Sequence, residues 1–193
     1  MPLGRRARKA RAVREALFAA GLAAFDRQPI GMVSVLDITE RADVAKGVFY
    51  LHFASKDEYL LSLLAETHRR LLDSAALHAA EARSVRARRE AVTRAMRAFA
   101  IEHADSARFL IRMASFLPDE VGRPGQLAKA REEYQVRLAS ILAGEAGGEA
   151  VERAIRPAIM LDVACWGLIG AAMRSGREVD PEEFFVRAVN RMV

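Results

Sequence analysis

Apolar residues return every three or four positions along almost the whole chain and almost nowhere at alternate positions, so the pattern predicts helices throughout and no strand. A first helix is predicted from about Arg6 to Phe25, with Val13, Leu17, Phe18, Leu22 and Phe25 on one face; Pro29 and Gly31 end it. Ser34 opens a short helix with Asp37 as its capping-box partner and Val35 and Ile38 facing inward, stopping near Ala42. Another short helix follows at once, Ala45 to Phe53. Ser55 then caps a long one, with Glu58 completing a second capping box, through Leu60, Leu61, Leu64, Leu71 and Leu72 towards Ala80.

Four or five more helices are predicted beyond it. One covers about Ser84 to Glu102, and one starts at Asp105 as N-cap and ends before Pro118. After the loop Pro118 to Pro124 a helix ends in Gly144–Gly148, and a long helix spans about Glu149 to Ser175, with a kink or break expected at Pro157. The last opens with Asp180 as N-cap and Pro181 as first helical residue. The fold class is all-α with about nine helices, and no internal repeat has a solenoid period.

Two short helices joined by a tight turn at Asp43 have the dimensions of a helix-turn-helix, since Asp tolerates a left-handed backbone. Thr39 and Ala42 leave room where the helices approach, and Val44, Val48 or Phe49, and Phe53 close a small core with the first helix. Lys46, Gly47, Tyr50 and His52 then face outward, a surface suited to phosphates and groove edges. An ordinary helical hairpin with solvated outward residues is the other reading of the same spacing.

Composition fits this outline. The 193 residues are 52% hydrophobic and 28% charged, which excludes a disordered chain. The net charge is +5, and only four of the 30 basic residues are lysines, Lys9, Lys46, Lys56 and Lys129. Residues 1–14 carry Arg5, Arg6, Arg8, Lys9, Arg11 and Arg14 and no acid, which reads as a phosphate-seeking arm or as a frayed, solvated terminus. The single cysteine, Cys165, excludes an internal disulfide and a cysteine-built zinc site. His52, His68, His78 and His103 lack metal-ligand spacing, and no nucleophile motif or phosphate loop is present, so neither an enzyme nor a metal or other cofactor is expected. The most apolar stretch, Ala158 to Met173, is interrupted by Asp162 and is shorter than the ~20 residues a bilayer needs; no membrane partner and a cytoplasmic location are expected.

The stretch from Ser34 to Leu60, with its run Lys46-Gly47…Phe49-Tyr50…His52-Phe53…Ser55-Lys56, resembles the DNA-binding signature of the TetR family of bacterial transcriptional regulators, and the arginine-rich helix ending in Ala23-Ala24-Phe25 fits that domain's first helix. The resemblance covers some sixty residues. It implies a DNA-binding domain over 1–60, an effector-binding and dimerisation domain over 61–193, and a homodimeric, ligand-responsive regulator, most simply a repressor released from a pseudo-palindromic operator by a small molecule. It implies that Lys46, Gly47 and Val48 face base edges or the groove wall. Tyr50, His52 and Lys56 would hold phosphates, Ser34 and Thr39 would contribute from the preceding helix, and Val48 and Leu51 would lie near thymine methyls. Ala45, Val48, Asp43 and Pro29 depart from the serine or threonine, threonine, glycine and glycine usual there, which leaves the operator sequence open. An activator, or a helical interaction protein that has lost specific DNA readout, are the alternatives.

In the long C-terminal helix, Ile155, Ile159, Asp162, Trp166, Ile169 and Met173 share one face, and Ala158, Leu161, Cys165, Leu168 and Ala172 another. A helix apolar nearly all round needs cover on both sides. The expected dimer interface is Leu161, Cys165, Leu168 and Ala172 with Phe185, Ala188, Val189 and Met192 of the last helix. Asp162, a carboxylate on an apolar stripe, is expected either to pair with an arginine such as Arg112 or Arg137 or to face a ligand cavity. The other candidate cavity residues are Met96, Phe99, His103, Phe109, Arg112, Met113, Phe116, Tyr134 and Trp166. The same stripes also fit plain core. Arg83, Arg86, Arg88, Arg89, Arg94 and Arg97 read as a solvated face.

Overall fold

Helices account for nearly every residue described in the computed structural model, which covers 4–116, 121–144, 148–177 and 182–192. Nine α-helices lie among these residues: α1 Arg5–Arg27, α2 Val35–Arg41, α3 Lys46–His52, α4 Lys56–Ala79, α5 Val85–Glu102, α6 Ala104–Ala114, α7 Gln126–Ala143, α8 Gly148–Ser175 and α9 Glu182–Met192. A short 3-10 turn at Ile30–Met32 links α1 to α2. No strand occurs among the described residues.

The local signals explain most of the ends. Ser34 and Asp37 close a reciprocal capping box at α2, their backbone and side-chain groups bonded at 2.7 and 3.1 Å. Ser55 caps α4 through the Glu58 N–H, but the Glu58 carboxylate reaches one residue further back, to the Ala54 N–H at 2.8 Å, so this box is displaced by one residue. At α6 the N-cap position is His103 rather than Asp105, which sits in the first turn where its charge suits the helix dipole. Helix α8 runs through Pro157 without a break. The expected α9 start, Asp180–Pro181, lies outside the described residues.

The head packs α1, α2 and α3 on the first turns of α4, and α4 carries straight on into the C-terminal bundle. It therefore crosses the boundary expected between residues 60 and 61. There α5 lies centrally against α4, α6, α7, α8 and α9, while α7 packs along both α4 and α8. One continuous apolar cluster runs from Leu17 and Phe25 through Leu64, Met96 and Leu138 to Phe185 and Val189.

Candidate nucleic-acid interface and inner cavity

The head is held by an aromatic knot. Phe18, Phe25, Phe49, Phe53 and Tyr59 lie with neighbouring ring centroids 5.0–6.4 Å apart, and all five are buried. The Tyr59 hydroxyl donates to the Leu17 carbonyl at 2.8 Å, and burial pushes this phenol well above its usual range. Gly21 makes this possible, because a Cβ there would lie 1.8 Å from the Tyr59 oxygen. Arg14 lies over the Phe18 and Phe53 rings at 4.9 and 4.8 Å, a cation–π contact that takes it out of the basic arm. The rest of that arm is helical from Arg5 onward and exposed, with Arg11 paired to Glu15 at 2.9 Å.

The turn between α2 and α3 is left-handed at Asp43, with φ 54°, as the spacing predicts. The Asp43 N–H donates to Glu40 at 3.2 Å and the Val44 N–H to Thr39 at 3.0 Å. With Ile38 and Phe49 fully buried, α3 turns Lys46, Gly47, Tyr50 and Leu51 to solvent, and Leu51 is 83% exposed. Val48 and His52 are half-buried at the edge of this face. Apart from its chain neighbours and its own helix backbone, nothing lies within 4 Å of where a Gly47 Cβ would be. Nothing inside the fold demands glycine there.

Three of the expected DNA contacts already have partners within the fold. Thr39 is 1% exposed and its hydroxyl bonds back to the Val35 and Leu36 carbonyls at 3.0 and 3.1 Å, so it belongs to the seam between α2 and α3. The Lys56 ammonium donates to the Ile30 and Gly31 carbonyls at 2.9 and 3.3 Å and clamps the 3-10 turn; desolvation lowers its pKa. Ser34 is exposed, with its oxygen already accepting the Asp37 N–H. Two large apolar residues just before α3, Met32 in the 3-10 turn and Leu36 in α2, are 73% and 49% exposed.

A partly open cavity of 210 Å³ lies where α4, α6, α7 and α8 meet. Helix α4 contributes Leu64 and His68, α6 contributes Leu110, Met113 and Ala114, and α7 contributes Arg131, Tyr134 and Gln135; α8 closes it with Asp162 and Trp166. Tyr134 donates to Asp162 Oδ1 at 2.6 Å, and the Trp166 indole is a second neutral donor to that carboxylate. Desolvation raises the Asp162 pKa from 3.8 to about 6, outweighing both hydrogen bonds. Burial, helped by the Arg131 charge, lowers His68 to about 3, and its ring stacks on Tyr134 with centroids 4.0 Å apart. Arg131 donates to the Met113 and Phe116 carbonyls, both at 2.7 Å, and so ties down the end of α6.

Of the expected cavity residues, Met113, Tyr134, Asp162 and Trp166 therefore come together. Met96 and Phe99 are core, and Phe109 stacks on Phe25 at 5.6 Å between α6 and α1. His103 is exposed, edge-on to Phe99. Phe116 and Arg112 lie at a separate surface groove beside the end of α1. Neither arginine expected for Asp162 reaches it: Arg112 donates to the Gln28 and Asp26 carbonyls, and Arg137 approaches Asp73 at 3.7 Å. The polar lining residues not expected from the sequence are His68, Arg131 and Gln135. His68 had one signal, falling four residues after Leu64 on the apolar face of α4.

The expected dimer residues need a similar correction. Leu161, Cys165, Phe185 and Val189 are buried within the chain, Leu168, Ala172 and Ala188 are half-buried, and the Met192 side chain lies outside the described residues. Burial pushes the Cys165 thiol up, as fits an inert core thiol. The uncovered face of α8 is a different one, through Met160, Val163, Gly167 and Ala171, with Met160 51% and Val163 66% exposed. This helix spans 28 residues, more than the apolar stretch suggested, and is long and apolar enough to cross a membrane by length and composition. It packs instead as a bundle helix against α7, α5 and α9. Among the described residues no group of three His, Cys, Asp or Glu side chains is placed to hold a metal ion.

A basic, helix-turn-helix head joined through one long helix to an α-helical bundle with an inner cavity defines a DNA-binding regulator fold. Residues 17–63 match the family model of bacterial regulatory proteins, tetR family, and the described residues have the TetR-family fold. The fatty acid degradation regulator FadR from Bacillus halodurans superimposes with a TM-score of 0.76 at 14% identity, covering 100% of this chain and 96% of its own. FadR from Bacillus subtilis, in complex with stearoyl-CoA, gives 0.73 at 15% identity, covering 93% and 97%. A TetR family regulator from Marinobacter aquaeolei VT8 gives 0.72 at 15% identity, covering 95% and 94%. Among curated proteins no match to the sequence was found.

Proposed function

We propose that this chain is a cytoplasmic, ligand-responsive transcriptional repressor, not an enzyme, that binds a pseudo-palindromic operator as a homodimer and is released by a small molecule. The observation that carries it is the outward face of α3, with Lys46, Gly47, Tyr50 and Leu51 presented by a fully buried Ile38–Phe49 core. Lys46, Gly47, Val48 and Leu51 read the groove. Tyr50, His52 and Ser34 hold phosphates, joined by Lys56 once it leaves the loop carbonyls. The second subunit covers Met160 and Val163 on α8 and sets the two recognition helices ~34 Å apart on successive major-groove turns.

The route from cavity to DNA follows packed elements. The cavity walls include α4, which enters the head directly, and α6. The end of α6 is held by Arg131, and its Arg112 and Arg108 bind the last turn of α1. A ligand that binds better when these helices are displaced shifts the pair of heads away from the operator spacing. The stearoyl-CoA bound by the FadR relative supports ligand response in a fold of this kind.

Footprinting on DNA upstream of the gene, with a salt titration, tests this reading. A protected palindrome whose binding weakens steeply with salt is expected. Uniform, sequence-independent protection would instead identify a helical interaction protein without specific readout, and a reporter that falls on deletion of the gene would identify an activator.

A further inference from the structure

We propose that the inner cavity binds a small organic cation, a protonated amine on a compact apolar body, with its ammonium on the Asp162 carboxylate and against the Trp166 and Tyr134 rings. This rests on reading the chain as a ligand-responsive regulator and adds the chemical class of the ligand.

Four observations point to this class. First, Asp162 is the acidic side chain on the cavity wall, and the partners that hold it, Tyr134 and Trp166, are neutral donors. A desolvated carboxylate without a cation is costly, and an arriving ammonium removes that cost. Second, the cation already in the wall, Arg131, is not a partner of Asp162. One terminal nitrogen of Arg131 donates to both the Met113 and Phe116 carbonyls at the negative end of α6, which holds its charge at that helix end and away from Asp162. Third, the walls beside Asp162 are aromatic: Trp166, Tyr134 and, stacked on Tyr134, the His68 ring. Such faces attract ammonium groups, most strongly in a desolvated site. Fourth, 210 Å³ is below the ~300–1,000 Å³ of sites for drug-sized ligands, so the occupant is compact and not a long acyl chain.

The surrounding charges give the pH dependence. Facing Asp162 are His68 from α4, Arg131 and Tyr134 from α7, and Cys165 from its own helix; α6 contributes only Leu110, Met113 and Ala114. His68 is held neutral down to about pH 3, so Asp162, at about 6, is the group that titrates between pH 5 and 7.5. Cation affinity falls as pH drops through that window.

The test is titration calorimetry of the full chain with three matched probes: 2-phenylethylammonium, 2-phenylethanol and phenylacetate. The ammonium is expected to bind at least about ten-fold tighter than the other two at pH 7.5, the size of one charge-assisted contact, and to lose that advantage at pH 5. Asp162→Asn, which keeps an acceptor for Tyr134, should erase the preference; Trp166→Leu should lower ammonium affinity more than alcohol affinity, and provides the test if the first variant does not fold. Equal binding of alcohol and ammonium, preference for phenylacetate, or no binding by any probe overturns the proposal. Parallel DNA-binding titrations without ligand separate the two readings. Specific DNA binding without ammonium binding overturns the cation site and leaves the regulator, whereas ammonium binding without specific DNA binding does the reverse.

Discussion

Arg112, near the end of α6, donates to the carbonyl of Gln28 at the close of α1 at 3.0 Å, and its second terminal nitrogen reaches Asp26 at 3.2 Å. The residues are 84 positions apart in sequence, yet this guanidinium caps the C-terminal carbonyls of the helix on which the head is built. Arg108, one turn earlier, pairs with the Asp26 carboxylate. Arg112→Ala is expected to leave operator affinity within a few-fold of the parent but to blunt ligand-induced release, because α6 then moves without carrying α1. Fluorescence anisotropy of labelled operator DNA with increasing ligand checks this; full release in the variant would rule out the Arg112 link.

On the DNA face, Lys46→Ala removes a groove-reading cation and should weaken operator binding more than binding to random DNA, while also reducing the salt slope by about one. Leu51→Ala, at an 83% exposed apolar position, should instead change preference among operator variants while leaving the salt slope unchanged. Binding isotherms at several salt concentrations separate the two roles.

Gly21→Ala should destabilise the head by about 2 kcal/mol or more, at the upper part of the usual overpacking range. The new methyl would sit on the Tyr59 hydroxyl, which cannot move without losing Leu17 and disturbing Phe49 and Phe53. Urea unfolding, followed by loss of DNA binding at growth temperature, measures it.

Asp162 makes a pH-dependent contribution whose sign is opposite to that of most carboxylates. Its folded pKa of about 6 exceeds the ordinary 3.8, so the native state holds the proton more tightly than the unfolded chain. Stability therefore falls as pH rises through this window, and the cost is fully present above it. Asp162→Asn should be more stable than the parent at pH 7.5, by at most about 3 kcal/mol, with the gap closing towards pH 4. His68, with its lowered pKa, has the opposite slope in both proteins and drops out of the difference. Paired melting curves across pH 4–8 report it.

Val163→Glu places a charge on the uncovered face of α8 without touching the protomer core, since Val163 is 66% exposed. Analytical ultracentrifugation should show the dimer shifting to monomer with its melting temperature at high dilution unchanged. Cooperative operator binding should weaken in step.

The sequence by itself determined what depends on near neighbours along the chain. Capping by Ser34, Asp37 and Ser55, the left-handed turn at Asp43 and the outward set Lys46, Gly47 and Tyr50 all follow from spacings of a few residues, where helix geometry leaves little choice. The tertiary structure alone decided how faces are shared among helices. Apolar stripes such as that of Met96 and Phe99 on α5, or that of Phe109 on α6, look the same whether they line a cavity or fill a core, because the periodicity is the same in both cases. Asp162 took Tyr134 and Trp166 as partners rather than an arginine because Arg112 was drawn to the α1 carbonyls and Arg137 towards Asp73. Helix α8 is apolar nearly all round, so its pattern could not say which side its own domain covers. Packing against α7 and α5 buried Leu161 and Cys165 and left Met160 and Val163 outside. Long-range partner choice depends on which competing groups the fold brings within a few ångströms, and that information is not carried by any one segment.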